Sequence, residues 1–254
     1  MIRKLSLAEW FLTYQLKYVD RNYSHIAGMA EVDLSRILDH FGGDPLKVPL
    51  TSILIKACSI WQRENPVINR QMFKTLLGPR LYSCESNSVN IPALLKADGD
   101  PYLSVLCIKN ADQKTISSIK DEIANYSTTD PKTLPIGSRL IGKPNNIINR
   151  WRLRIIHFVV NTFPTIQNKL QIGTISLSSL LTSNQEGTDV TLMGKGPGAV
   201  SLTICGFDSK TKMMTIGISW DHATAQGYEI NLAVQNFCRI LQGDKHDVFN
   251  ELLA

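Results

Sequence analysis

The sequence of 254 residues contains no run of about twenty apolar residues, the length that a helix needs to cross a bilayer. Its first six residues, Met1 to Ser6, are followed by Glu9 and Trp10 instead of an apolar stretch. A secretory leader requires such a stretch. We therefore expect neither a signal peptide nor a membrane span.

Cysteine is scarce and scattered, and no two cysteines have C-x-x-C spacing. The five are Cys58, Cys84, Cys107, Cys205 and Cys238. This pattern predicts neither a disulfide framework nor a zinc site, and it favours buried thiols in a reducing, cytoplasmic compartment. Four histidines also lack partners at metal-ligand spacing, so no metal is expected: His25, His40, His157 and His246.

Concentrated charge is lacking as well. The 27 Lys and Arg residues against 22 Asp and Glu give a net charge of +5, and no short stretch is dominated by basic residues. Nucleic-acid binding is therefore not expected, because such proteins carry clustered basic residues with interleaved aromatics. A mild positive balance suits an anionic ligand, such as a phosphorylated cofactor or an acidic carrier protein.

Apolar periodicity predicts a mixed α/β protein. Helices are expected over 5–19, 35–40, 50–63, 112–125, 146–163 and 228–242. Strands are expected over 26–34, 102–109, 172–180, 199–205 and 213–219, and a loop over 126–145. Since no internal repeat or long linker divides the chain, we expect a single domain over 1–254.

The segment most informative about chemistry is 213–229, MMTIGISWDHATAQGYE. A predicted strand ends there, and His222 follows it at the turn into a helix. Catalytic side chains gather at such strand ends. A histidine can act as a general base because its ordinary pKa is close to neutrality.

This segment resembles the active-site motif of chloramphenicol acetyltransferase and of the acyltransferase catalytic domain of 2-oxoacid dehydrogenase complexes. That motif is a strand, an aromatic residue, Asp-His, three residues, Asp or Asn, and Gly; here it reads Trp220-Asp221-His222-Ala-Thr-Ala-Gln226-Gly227. Further resemblances follow in the family's order over 31–35, 51–69, 105–123, 173–180 and 228–241. The resemblance implies a chloramphenicol acetyltransferase-like fold, a two-layer structure with a mixed β-sheet covered by helices.

The resemblance also implies roles for particular residues. His222 would be the general base, and Ser178 would donate a hydrogen bond to the tetrahedral oxyanion, with Ser176 and Ser179 as neighbouring candidates. Gln226 stands where the family usually has Asp, which typically pairs with an Arg of the N-terminal segment. Arg3 occupies about that place, and a Gln amide oxygen can still accept from its guanidinium, although it cannot form an ion pair.

The implied function is acyl-CoA-dependent O-acyl transfer. We expect no lipoyl or subunit-binding domain, and the chain therefore resembles stand-alone members such as the acetyltransferases of tetronate antibiotic biosynthesis. These use acetyl-CoA as co-substrate to acetylate a primary alcohol. The acceptor would be a small hydroxylated metabolite. Family members commonly form homotrimers in which His and Ser come from different subunits.

Two alternatives stay open at this point. The acyl donor could be an acyl carrier protein or lipoamide instead of free coenzyme A thioester. The chain could also be a non-catalytic scaffold that kept the fold, as Gln226 permits. Outside the motif, the helix carrying Arg150, Arg152 and Arg154 could contact a membrane surface or coenzyme phosphates, or be only a solvated face.

Overall fold

A six-stranded mixed β-sheet and the helices packed on it organise the molecule. The computed structural model describes residues 4–22, 24–75, 78–97, 100–169, 173–179 and 199–254. The sheet has the order β1-β8-β7-β6-β4-β5 and comprises β1 (His25–Asp33), β4 (Ser88–Ala97), β5 (Asp100–Lys109), β6 (Ile175–Ser179), β7 (Val200–Asp208) and β8 (Met213–Asp221). A separate hairpin comprises β2 (Arg70–Thr75) and β3 (Gly78–Ser83).

The described residues also form α-helices between and after these strands. They are α1 (Leu7–Asn22), α2 (Ser35–His40), α3 (Leu50–Glu64), α4 (Ile116–Ser127), α5 (Gly137–Leu140), α6 (Ile147–Thr162), α7 (Pro164–Lys169), α8 (Gly227–Gln242) and α9 (His246–Leu253). Short 3₁₀ turns precede α3, α4 and α5 and connect α3 to β2. The described part of the chain thus contains both helices and strands, as the mixed α/β prediction requires.

The main core lies between one face of the sheet and helices α3 and α8. Every residue of α3 from Ser52 to Gln62 is buried, so this helix is the centre of the helical layer. Trp61 donates from Nε1 to the Ala233 carbonyl at 2.6 Å, and its ring lies 4.8 Å from that of Phe237. Since both partners belong to α8, this contact fixes the helix that follows His222 against α3.

A second, smaller core joins α1 to α6. Leu7 and Phe11 of α1 pack with Leu153 of α6 and with Leu140. His157, also on α6, is buried with its ring edge-on to Tyr18 at 4.5 Å. The inner face of α6 is therefore covered by α1.

A buried polar network fixes the start of β6. Gln62 donates from Nε2 to Thr174 Oγ1 at 2.7 Å, and Thr174 Oγ1 donates to Asn69 Oδ1 at 2.5 Å. The Asn90 side chain forms two hydrogen bonds with the Gly173 backbone, at 2.8 and 2.9 Å. A Cβ at Gly173 would lie 2.8 Å from the Ser88 carbonyl oxygen, so only glycine permits this close approach.

Most predicted elements are confirmed, with local corrections. α4 begins at Ile116 and not at Asp112, because Thr115 caps it by accepting the Ser118 N–H at 3.1 Å. Asp112 is instead buried and accepts the Ser59 hydroxyl at 2.6 Å. The loop predicted over 126–145 contains α5, and the β2–β3 hairpin, β4, α7 and α9 were not predicted.

Candidate active site

His222 directly follows the inner strand β8. This strand buries Met214, Ile216 and Ile218 in the main core. Their burial determines which face of the strand points towards the core. The ladder with β1 ends where Asp221 pairs with His25, and the His222 N–H then donates to the Ser24 carbonyl at 2.8 Å. The backbone of His222 is therefore anchored while its side chain is exposed.

Asp221 shapes the turn that presents His222. Its Oδ1 accepts the N–H groups of Ser24 at 3.1 Å and Ala223 at 3.2 Å, and its carbonyl accepts the Thr224 hydroxyl at 2.8 Å. The residue is buried, and Oδ2 has no hydrogen-bond partner among the described residues. A buried carboxylate oxygen without a partner is costly. Asp221 therefore contributes to the geometry of the turn and leaves one acceptor open.

Gln226 lies at the N-cap position of α8, four residues after His222. Its N–H donates to the Glu229 carboxylate at 3.0 Å, and Glu229 lies 3.8 Å from the Arg70 guanidinium. The Gln226 side chain is exposed. The predicted contact with Arg3 lies outside the described residues.

Ser178 lies on β6, which runs parallel to β7. It pairs with Thr203, and the two hydroxyl oxygens are 3.2 Å apart, so either can donate to the other. Ser178 is half-buried, whereas Thr203 is buried. Ser178 is therefore reachable and has a neighbour that can orient its hydroxyl.

Ser176 belongs to the same sheet face as Ser178, since side chains two residues apart share a face. Its Oγ is buried without a hydrogen-bond partner among the described residues. Ser179, the other neighbouring candidate, ends β6, but its side chain lies outside the described part. The structure thus leaves two hydroxyls, on Ser176 and Ser178, on one face.

Within one chain, His222 and Ser178 do not meet. Ser178 pairs with Thr203, which pairs with Gly217 of the antiparallel strand β8. His222 is five residues beyond Gly217. A rise of about 3.3 Å per residue and a strand spacing of about 4.8 Å place the two residues roughly 19 Å apart. A base and an oxyanion donor for one reaction must lie much closer than this.

Metal-ligating side chains and thiols are alternative reactive groups within the described part of the chain. In the described ranges, no group of three or more His, Cys, Asp or Glu residues is arranged to hold a metal ion. Burial raises the pKa of the Cys84 and Cys107 thiols to about 11 and that of Cys58 further still, so these thiols are poor nucleophiles at neutral pH. The glycine-rich segment 194–198 lies outside the described residues.

Sequence reasoning assigned no role to Asp221 or to Ser24. The sequence could have pointed to Asp221, because this residue directly precedes His222 in the motif. Ser24 carried no signal, since it contributes only backbone groups to the turn. Its contact depends on the pairing of β1 with β8, strands separated by most of the chain.

Among the described residues, no helix has the length and apolar character needed to span a bilayer. No protein-family model and no curated protein matches the chain.

Solved structures do match. Dihydrolipoamide acetyltransferase of Azotobacter vinelandii, studied for the role of a serine, a histidine and an asparagine in its catalytic mechanism, superposes with a TM-score of 0.64 at 15% identity, covering 98% of this chain and 94% of that one. The truncated catalytic core of the Thermoplasma acidophilum 2-oxoacid dehydrogenase complex superposes with a TM-score of 0.65 at 17% identity, covering 96% of this chain and 99% of that one. A probable dihydrolipoamide acetyltransferase of Listeria monocytogenes superposes with a TM-score of 0.62 at 17% identity, covering 95% of this chain and 94% of that one. The predicted fold is confirmed.

Proposed function

We propose that the protein is an acyltransferase that moves an acyl group from a coenzyme A thioester to a hydroxyl, with His222 as the general base. The observation that carries this proposal is the placement of His222, which is exposed and backbone-anchored at the end of β8. The fold around it is one in which acetyltransferases occur. In the Azotobacter enzyme, a histidine is among the residues studied for catalysis.

The proposed reaction begins when the His222 imidazole removes the proton of the acceptor hydroxyl. The oxygen attacks the thioester carbonyl, and the resulting tetrahedral oxyanion accepts a hydrogen bond from Ser178. Collapse of this intermediate breaks the carbon–sulfur bond and releases the coenzyme A thiolate, which recovers the proton from His222. The histidine thus acts as base and then as acid.

Thr203 supports the assignment of Ser178 as the oxyanion donor. A hydroxyl has one proton and two acceptor positions. If Thr203 donates to Ser178 across their 3.2 Å contact, the Ser178 proton remains available for the oxyanion. Ser176 pairs with Ser201 on β7, but its Oγ forms no hydrogen bond among the described residues. Ser178 is therefore preferred over Ser176.

The separation of His222 from Ser178 supports a site shared between two copies of the chain. Three apolar side chains on the β4–β5 pair are exposed: Leu94, Leu103 and Val105. Leu94 and Leu103 are direct cross-strand partners, and strand alternation places them on the same sheet face as Ser178. This apolar face suits contact with a second copy. We assign the protein to a homotrimer with sites between subunits.

The donor and acceptor follow from the family resemblance. Acetyl-CoA is the proposed co-substrate, and the proposed acceptor is a small hydroxylated metabolite, such as the primary alcohol of a tetronate intermediate. Gln226 is proposed as a positioning residue; it keeps the amide group of an asparagine, four residues after the histidine. The activity would serve a secondary-metabolite pathway.

Incubation of the protein with acetyl-CoA and small-molecule extracts, followed by mass spectrometry, tests this function. An acetylated product should form with wild-type protein and not with His222→Ala. Transfer only from an acylated carrier protein or from acetyl-dihydrolipoamide would show that this molecule, and not acetyl-CoA, is the acyl donor. Coenzyme A binding without any turnover would reject the enzyme and favour a scaffold.

A further inference from the structure

The outward face of α6 is apolar. Leu153 and His157 point inward and are buried, whereas five large apolar side chains on the opposite side are more than half exposed: Ile147 at 69%, Ile148 at 61%, Trp151 at 56%, Ile155 at 56% and Phe158 at 55%. These five residues are called the α6 apolar face. A surface helix of a globular protein normally has its polar residues there.

The spacing makes this face a continuous stripe. Ile148, Trp151, Ile155 and Phe158 follow one another at intervals of three and four residues, which places them along one side of a helix. The 16 residues of α6 extend over about 24 Å. The stripe is therefore long and convex, and it contains a tryptophan at its centre.

Basic residues border the stripe. At 100° per residue, Arg152 lies at one edge, and Arg150 and Arg154 lie at the other. The guanidinium groups of Arg150 and Arg154 lie over the Trp10 ring, 5.3 and 5.6 Å from its centroid. These contacts hold both side chains beside α1. The sequence from 131 to 185 contains seven Lys and Arg residues and no Asp or Glu.

This combination identifies the partner. A helix with bulky apolar residues on one side, arginines at its borders and no acidic residue lies in the plane of an anionic membrane interface. A second copy is disfavoured, because a two-fold contact through this face would bring the same arginines together. We propose that the α6 apolar face attaches the protein to the surface of an anionic lipid bilayer, with α6 lying parallel to the membrane. This proposal does not depend on acyl transfer.

Vesicle flotation tests the proposal. Wild-type protein should float with vesicles that contain phosphatidylglycerol and stay behind with pure phosphatidylcholine, because the arginines need anionic headgroups. Ile155→Glu/Phe158→Glu should reduce the bound fraction at least tenfold, and Arg152→Gln/Arg154→Gln severalfold. The matched controls are Leu46→Glu, at a side chain that is 95% exposed, and Lys96→Gln/Lys120→Gln, which removes two cations elsewhere. Both controls should float like wild type.

A second measurement uses wild-type protein, so that the test does not depend on whether a variant folds. Brominated phosphatidylglycerol should quench tryptophan fluorescence, and Trp151→Phe should lose most of that quenching while still floating. Wild-type protein that ignores anionic vesicles, or glutamate variants that float normally, would overturn the proposal. The proposal would also be overturned if the glutamate variants lowered the mass of the protein assembly measured without lipid, because the α6 apolar face would then bind another protein chain. His222→Ala should float normally, so failure of acyl transfer and failure of lipid binding are distinguishable.

Discussion

Ser178 and His222 follow strands separated by β7 and lie towards opposite ends of these strands, roughly 19 Å apart, because β6 and β8 run in opposite directions. Each residue is positioned by its own set of contacts. The polar network of Gln62, Asn69 and Thr174 fixes the strand of Ser178, and Asp221 fixes the turn of His222. Under the mechanism proposed above, their joint use would bring together residues of two chains.

Replacing His222 with alanine should lower turnover by roughly 100-fold or more, the usual scale for a general base. The fold should survive, because the side chain is exposed and its anchoring contact is made by the backbone. Product formation and circular dichroism measure the two effects. His40→Ala, at another exposed histidine, should leave turnover unchanged. Near wild-type turnover of His222→Ala would remove this residue from the mechanism.

Ser178→Ala should lower kcat with little change in KM, because its hydrogen bond strengthens only in the transition state. Loss of one oxyanion donor costs about 3–4 kcal/mol in the best-known cases. Thr203→Val should give a smaller loss, since it removes only the group that orients Ser178. Steady-state kinetics of both variants and of Ser176→Ala decide the assignment. A large effect confined to Ser176→Ala would move the donor by two residues.

Chains that carry His222→Ala and chains that carry Ser178→Ala should regain activity when they are unfolded and refolded together. Some interfaces then combine an intact histidine with an intact serine. The mixture is compared with each variant refolded alone. Light scattering gives an independent check: a mass near the 28.4 kDa of one chain with full activity would reject both the trimer and the shared site.

Asp221→Ala should reduce both stability and turnover, because the Ser24 and Ala223 N–H groups lose their acceptor. The expected loss of stability is about 1–3 kcal/mol. Asp221→Asn keeps an oxygen at the Oδ1 position and should retain most of both properties. Urea unfolding and kinetics measure the two variants. Equal losses in Asp221→Asn would instead indicate that the charge of the carboxylate is required.

His157 should make stability depend on pH. Its burial among Phe11, Tyr14 and Tyr18 lowers its pKa to about 4 from the ordinary 6.5. Between these values the unfolded chain binds more protons than the folded one, so the free energy of unfolding falls as pH drops from 6.5 towards 4, by up to about 3 kcal/mol. Urea unfolding at pH 5 and pH 7 measures this fall. His157→Phe should flatten the profile, and an unchanged slope would contradict the assignment.

Local patterns in the sequence are enough to predict the mixed α/β class, most of the elements and the turn that carries His222. Periodicity is local, so it is visible in a single segment: alternation marks β8, and the three-to-four spacing marks α8. The apolar and basic pattern of α6 was also visible. Whether its apolar side faced the core or the solvent was not, because that depends on which helix packs against it.

The contacts between distant segments depend on how the chain folds in three dimensions. The pairing of β6 with β7 placed Ser178 beside Thr203, and the antiparallel direction of β8 placed His222 towards the opposite end of the strands. The hydrogen bonds of Asp221 to Ser24 and of Gln62 to Thr174 join residues 197 and 112 positions apart. Such contacts follow from the packing of strands and helices on a common core, and no local pattern of residues specifies which partners will meet.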